Sequence, residues 1–264
     1  MPFPSATFAV WGSAWLHGAA APDDALDALA VWAEMHEVVA DDEGTATALE
    51  LPARDERAGQ LAALLAALRK AGATTAHLVI PVPGDVRRLG GSTRLASAAV
   101  QAGQAVVVPD AGVGIVPENV ADGVIRWTVF DLPTPTPAEH TPLGEADHNL
   151  STAMREAAGT LASLDLTSNR PGVRHEIKER VAVSARARWP IGMPQKTLRV
   201  LQRAAEVSAI LEVAAEDDPG GALSSSAALR RSEALRPLAN AVRLARCAAI
   251  DEAVRVLSDH AGRH

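Results

Sequence analysis

The stretch Arg87-Arg88-Leu89-Gly90-Gly91-Ser92-Thr93-Arg94 combines three guanidinium groups, two glycines and a hydroxyl immediately before a helical pattern. A helix start offers unpaired N–H groups and a favourable dipole. Arginine adds bidentate donors for carboxylate or phosphate. This is the residue set of an anion cradle. Asp85 and Asp110 follow the two neighbouring strand patterns and supply acids that could take a proton or hold a cation. The predicted ligand site is therefore Asp85, Arg87, Arg88, Gly90, Gly91, Ser92, Arg94 and Asp110. The spacing matches neither the P-loop nor the dinucleotide fingerprint, and a glycine turn with a serine cap is the plain alternative.

Other residue types that carry chemistry are less well supported. Glu139, His140, Glu145, Asp147 and His148 crowd into ten positions, and Glu145 and His148 are three apart, one helical face. Carboxylate-bridged metal bundles use that spacing but need a second such pair, which the chain lacks. A Thr141 cap with acids answering the helix dipole explains the same residues, so no metal site is assigned. Cys247, the single cysteine, falls at helical spacing with Leu244 and Val254 and reads as a buried small hydrophobe. No Gly-x-Ser-x-Gly elbow occurs. Arginines such as Arg180, Arg203, Arg246 and Arg255 populate the second half. Asp251 and Asp259, four residues either side of Arg255, are expected to pair with it along a helix.

The elements that would position these groups are legible in outline. Ser5 is expected to cap a helix to His17, with Phe8, Trp11 and Trp15 on one apolar face. Pro22-Asp23-Asp24 opens a second helix with Leu26, Leu29, Ala30 and Trp32 on its face. Short strands are predicted at His36–Ala40 and Ala46–Leu51, then a helix over Arg54–Ala71 with Leu61, Leu64, Leu65 and Leu68 at helical spacing, stopped by Gly72. Strand His77–Val82, a helix to Ala102 capped by Ser92 or Thr93 and stopped by Gly103, and strand Ala105–Pro109 follow. Alternation of this kind predicts parallel strands joined by right-handed crossovers, whose carboxyl ends would gather the candidate site. Val113–Pro117 and Val124–Asp131 are expected as antiparallel additions at the sheet edge.

Pro133, Pro135, Pro137 and Pro142 mark an extended linker. Beyond it the patterns are helical: Glu145–Leu164, Val173–Arg188, Gln195–Ala215 and Ser224–Asp259. The third reads as a buried central helix, and Pro237 should end or kink the fourth. The predicted fold is an α/β N-terminal domain with a mixed, partly parallel sheet over residues 1–132, a linker over 133–143, and an all-helical bundle over 144–264.

Composition narrows the function classes. Of 25 basic residues, Lys70, Lys178 and Lys196 are the lysines, and this arginine and alanine bias fits a high-GC genome. Residues 1–142 carry 8 basic and 17 acidic side chains, whereas 143–264 carry 17 and 15. An acidic half beside a mildly basic one argues against a dedicated nucleic-acid binder. No apolar run is long enough to span a membrane. The apolar start lacks the positive flank of a signal peptide, the first basic residue being Arg54, so a cytoplasmic location is expected. The leading expectation is a non-enzymatic protein that binds a protein partner or a small anionic ligand, with no cofactor identified. The alternatives are an enzyme acting on an anionic or phosphorylated small molecule at the strand ends, and a nucleic-acid-associated regulator.

Overall fold

The computed structural model describes residues 3–134, 141–163, 172–216 and 225–261. The chain divides into two compact units. A sheet unit comprises Pro2–Glu139, Ala187–Pro194 and Ile250–His264, and a helical unit comprises His140–Arg186 and Gln195–Ala249. Of the proline-rich stretch over 133–143, residues 135–140 lie outside the described residues, as do 217–224.

The sheet unit begins with α1 (Pro4–Leu16) and α2 (Pro22–Leu29). β1 (Met35–Ala40) leads into α3 (Glu43–Leu49), then β2 (Gly59–Gln60) and α4 (Leu61–Lys70). β3 (His77–Val79), α5 (Thr93–Ala102) and β4 (Ala105–Val108) follow. A hairpin of β5 (Val113–Ala121) and β6 (Val124–Asp131) completes the sheet. The order is β2-β1-β6-β5-β4-β3.

A mixed, partly parallel sheet is thus present, but its parallel pair is β1 with β6, in register from Met35–Val124 to Ala40–Val129. β3 and β4 are antiparallel, with His77 opposite Val107. The expected parallel crossover between them is corrected. The thirteen residues after β3 double back before α5 starts, starting with a turn in which Val82 and Asp85 exchange backbone hydrogen bonds of 2.9 and 3.3 Å. α5 therefore carries the chain back to the end where β3 finished. β5 and β6 are corrected too: they are the centre of the sheet rather than its edge, because β6 pairs with both β5 and β1.

Side chains alternate across a strand, so each face collects every second residue. Trp127 and Phe8 stack at 5.2 Å between centroids, which seats α1 on the face carrying Ile125, Trp127 and Val129. Phe130, Val116 and Val107 line the other face with Leu95 and Ala99 of α5. Gly114 makes that packing possible: a Cβ there would stand 2.4 Å from Leu95 Cδ2.

Three local expectations change. Ser5 is a buried residue inside α1 rather than its cap, and the helix start is met by Pro4 and by a Ser5 N–H bond to Gln104 Oε1 at 3.1 Å. α1 is buried along most of its circumference, not on one face. Ala46–Leu51 is not a strand. Its first four residues belong to α3, which starts because Asp42 Oδ1 accepts from the Thr45 N–H at 2.8 Å.

The helical unit holds α6 (Leu143–Ser163), α7 (Val173–Ser184), α8 (Gln195–Glu216) and most of α9 (Ser225–Ala261). Leu150, Val200, Ala204, Val207, Val242 and Ala245 form its core. α8 buries one stripe and leaves Ile210 48% exposed, so it is amphipathic rather than central. α9 continues through Pro237 instead of ending there. From Ile250 its residues belong with the sheet unit. Among the described residues no helix is long and apolar enough to cross a membrane.

Candidate functional site

Asp41 follows the last residue of β1, and its N–H donates to Val129 O of β6 at 2.8 Å. It therefore stands at the carboxyl end of the parallel pair, where ligands bind in open α/β sheets. Its side chain is 4% exposed. A buried carboxylate needs a partner, and Asp41 has two. Arg54 Nη2 donates to Oδ1 at 3.0 Å, and Arg94 Nη2 approaches Oδ2 at 2.8 Å and donates to the Asp41 carbonyl at 3.2 Å.

Each arginine is delivered by its own element. After α3 the chain returns beside β1, with Ala40 N–H donating to Pro52 O at 2.8 Å, which brings Arg54 over the strand end. Arg94 lies in the first turn of α5, whose cap is Ser92: its Oγ accepts from the Leu95 N–H at 3.4 Å. Both guanidinium groups remain largely in solvent, Arg54 at 59% and Arg94 at 63%. Each uses Nη2 toward Asp41, and Nε and Nη1 of both have no partner among the described residues. One negative charge thus fixes two positive ones and leaves N–H donors on Nε and Nη1 of each available to an anion. Beside them, the Thr45 N–H holds the Asp42 carboxyl below its ordinary range, against an opposing effect of burial and with help from Arg94.

The predicted cradle is only partly assembled. Gly90 (φ +59°) packs under the chain leaving β6, where a Cβ would meet Thr134 O at 2.6 Å and Leu132 Cδ1 at 2.7 Å. Gly91 (φ +76°) has open space around it. Gly90, Gly91, Ser92 and Arg94 therefore lie at the same sheet end as Asp41. The other four predicted residues go elsewhere. Asp85 lies at the opposite end, past β3, and holds Arg87, with Nε–Oδ1 at 2.9 Å. Arg88 reaches Asp251. Asp110 binds the Thr74 hydroxyl and its N–H, the latter at 3.2 Å. Asp110 follows β4, which β5 and β6 separate from β1, so it stands roughly 14 Å from the Asp41 position at ~4.8 Å per strand. Because β3 and β4 are antiparallel, their carboxyl ends point to opposite ends of the sheet, and Asp85 and Asp110 do not converge.

A second buried carboxylate was not predicted as a site. Asp251 of α9, 11% exposed, accepts from His77 Nδ1 at 3.1 Å and from Arg88 Nη1 at 3.2 Å. The expected Asp251–Arg255 pair is replaced: Arg255 takes Glu252 at 2.9 Å and Asp259 at 3.0 Å, and its pKa is raised chiefly by the Glu252 hydrogen bond. A third titratable group, His36, donates from Nε2 to Leu29 O at 3.0 Å and accepts the Trp127 indole N–H on Nδ1 at 2.9 Å. Burial lowers its pKa.

The remaining candidates separate. Glu145 and His148 are exposed in the first turns of α6, and Asp147 pairs with Arg203 at 2.7 Å. Glu139 and His140 lie outside the described residues. Among the described residues no group of three or more His, Cys, Asp or Glu is placed to hold a metal. Cys247 is half-buried in α9. Its neighbour Arg246 is buried, donates to Ala204 O at 3.5 Å and has its pKa pushed down to about 10 by burial.

Residues 5–141 match the family described as Rv1486c-like protein, N-terminal domain, and residues 144–247 match Rv1486c-like protein, C-terminal domain. The chain is 38% identical over 275 residues to the uncharacterized protein Rv1486c of Mycobacterium tuberculosis. It is 34% identical over 286 residues to the uncharacterized protein ML1804 of Mycobacterium leprae, and 33% over 301 residues to the uncharacterized protein MAV321 of Mycobacterium avium. Each alignment covers 94% of this chain and 96% of the relative. No solved structure matches.

Proposed function

The chain belongs to the Rv1486c-like family, and we propose that it is a cytoplasmic binding protein whose ligand is a small anion docked at the carboxyl end of β1 and β6. The observation that carries this reading is the pair of exposed guanidinium groups, Arg54 and Arg94, fixed on buried Asp41 with Nε and Nη1 unspent. A preset arginine pair loses little side-chain freedom when an anion arrives. The residues 133–143 serve as the linker between this binding half and the helical half.

Thermal shift and calorimetric titration with inorganic phosphate and phosphorylated metabolites test the proposal. A ligand that prefers the folded protein at 100 times its Kd stabilises it by about 2.7 kcal/mol. Arg94→Lys keeps a cation for Asp41 but loses the Nε and Nη1 donors, and should weaken anion binding. If no anion raises the melting temperature of the wild type above that of Arg54→Ala/Arg94→Lys, the reading is wrong. A protein partner is the second reading, and Ile210 and Leu244, each more than a third exposed on the helical unit, are the positions at which to test it. Ile210→Asp and Leu244→Asp should then abolish co-purification of one defined protein.

A further inference from the structure

We propose that His77 is a general base of a second site, on the outermost strand β3, with Asp251 and Arg88 as its positioning residues. A carboxylate can only accept, so the 3.1 Å contact with Asp251 places the hydrogen on His77 Nδ1 and the lone pair of the neutral ring on Nε2. Nε2 has no partner among the described residues, and the side chain is 21% exposed. Arg88 Nη1 takes the other carboxylate oxygen at 3.2 Å, which opposes rotation of Asp251 away from the ring. Buried acid, oriented imidazole and accessible Nε2 are the acid–base half of a hydrolytic triad. They are built from β3, the segment after it and α9.

An oriented base of this kind can act on a small acyl ester attacked by water. Nε2 takes one proton from water as the water oxygen bonds to the carbonyl carbon. The imidazolium that forms faces the Asp251 carboxylate through Nδ1–H. Nε2 then returns the proton to the leaving oxygen as the C–O bond breaks, giving acid and alcohol and restoring the neutral ring. No oxidant or reductant enters. This site is independent of Arg54 and Arg94, and its failure would leave the anion-binding reading untouched.

The probe is p-nitrophenyl acetate with full-length protein. Removing the base should cost about 100-fold in the rate attributable to the site, so His77→Gln should fall to the background given by the other histidines. Asp251→Asn should lose about tenfold or more, and Asp251→Glu should recover part of it. Nitrogen shifts of the wild type should place the neutral-ring proton on Nδ1. Equal rates for wild type and His77→Gln, or the proton found on Nε2, overturn the proposal. The tautomer measurement needs no variant, so a misfolded Asp251→Asn leaves the proposal open to refutation.

Discussion

His77 and Asp251 are 174 positions apart in the sequence and 3.1 Å apart at their polar atoms. With Arg88 on the second oxygen, this carboxylate ties the C-terminal turns of α9 to β3 and to the segment that doubles back after it. Hydrogen bonds to charged groups contribute about 1.5–3 kcal/mol each, and a buried donor left without its acceptor costs more than the bond itself. Asp251→Ala should therefore lower stability by about 2–3 kcal/mol. Arg88→Ala combined with it should cost less than the sum, because both remove one contact. Urea unfolding of the four proteins checks this, and strict additivity would refute it.

Adjacent glycines should respond unequally. Gly90 and Gly91 both have positive φ, but a Cβ at Gly91 meets open space while one at Gly90 meets a backbone carbonyl at 2.6 Å. Gly91→Ala should cost about 1 kcal/mol, the backbone penalty alone. Gly90→Ala should cost about 3 kcal/mol or more, since Thr134 must also move. Equal losses by chemical denaturation would show that the Leu132–Thr134 segment does not press on the loop.

How much of this was legible follows from which signals were local. Ser92 capping α5, the Gly103 stop and the Leu61, Leu64, Leu65, Leu68 stripe of α4 are written within one or two turns of chain, and the structure has them. The direction of β4 relative to β3 is not local. It depends on the segment after Val79 turning back before α5 starts, and strand-then-helix alternation does not report that return. That return sets Asp85 and Asp110 at opposite ends of the sheet. Asp42 followed by Glu43 is a local helix start, but the small-and-larger alternation of Ala46–Leu51 imitates a strand. The pairing of Asp41 with Arg94, and of Asp251 with His77, depends on which ends of the chain meet. One sequence does not carry that information.

Gly114 and Leu95 form a packing couple. Leu95 is fully buried, so it has no room to yield to a Cβ 2.4 Å away. Gly114→Ala should cost about 2 kcal/mol through overpacking, and Leu95→Ala about 3 kcal/mol through a cavity. Together they should cost about as much as Leu95→Ala alone, since the new methyl occupies vacated space. Calorimetry of the double variant decides; a loss equal to the sum would remove the couple.

His36 gives stability a pH dependence of defined sign. Burial disfavours the cation, and protonating Nδ1 would also cost the Trp127 bond, so the folded-state pKa lies below the unfolded value of about 6.5. As pH falls, the unfolded chain takes up the proton first. The contribution is intact above about pH 6.5 and is lost as pH falls from there through the lower folded value. Denaturation midpoints of wild type and His36→Gln should converge on acidification across that window. A difference that stays constant or widens would contradict the assignment.

The sheet unit draws on both ends of the chain, with the helical unit translated in between. At 5–20 residues per second, synthesis reaches Asp251 roughly 9–35 s after His77. During that interval β3 and the doubling-back segment must stand without the carboxylate that later binds them. The helical unit's described helices up to Ala249 are complete before the first-made strands acquire their last partner. The unit whose strands precede the helical one in the sequence is completed only after it.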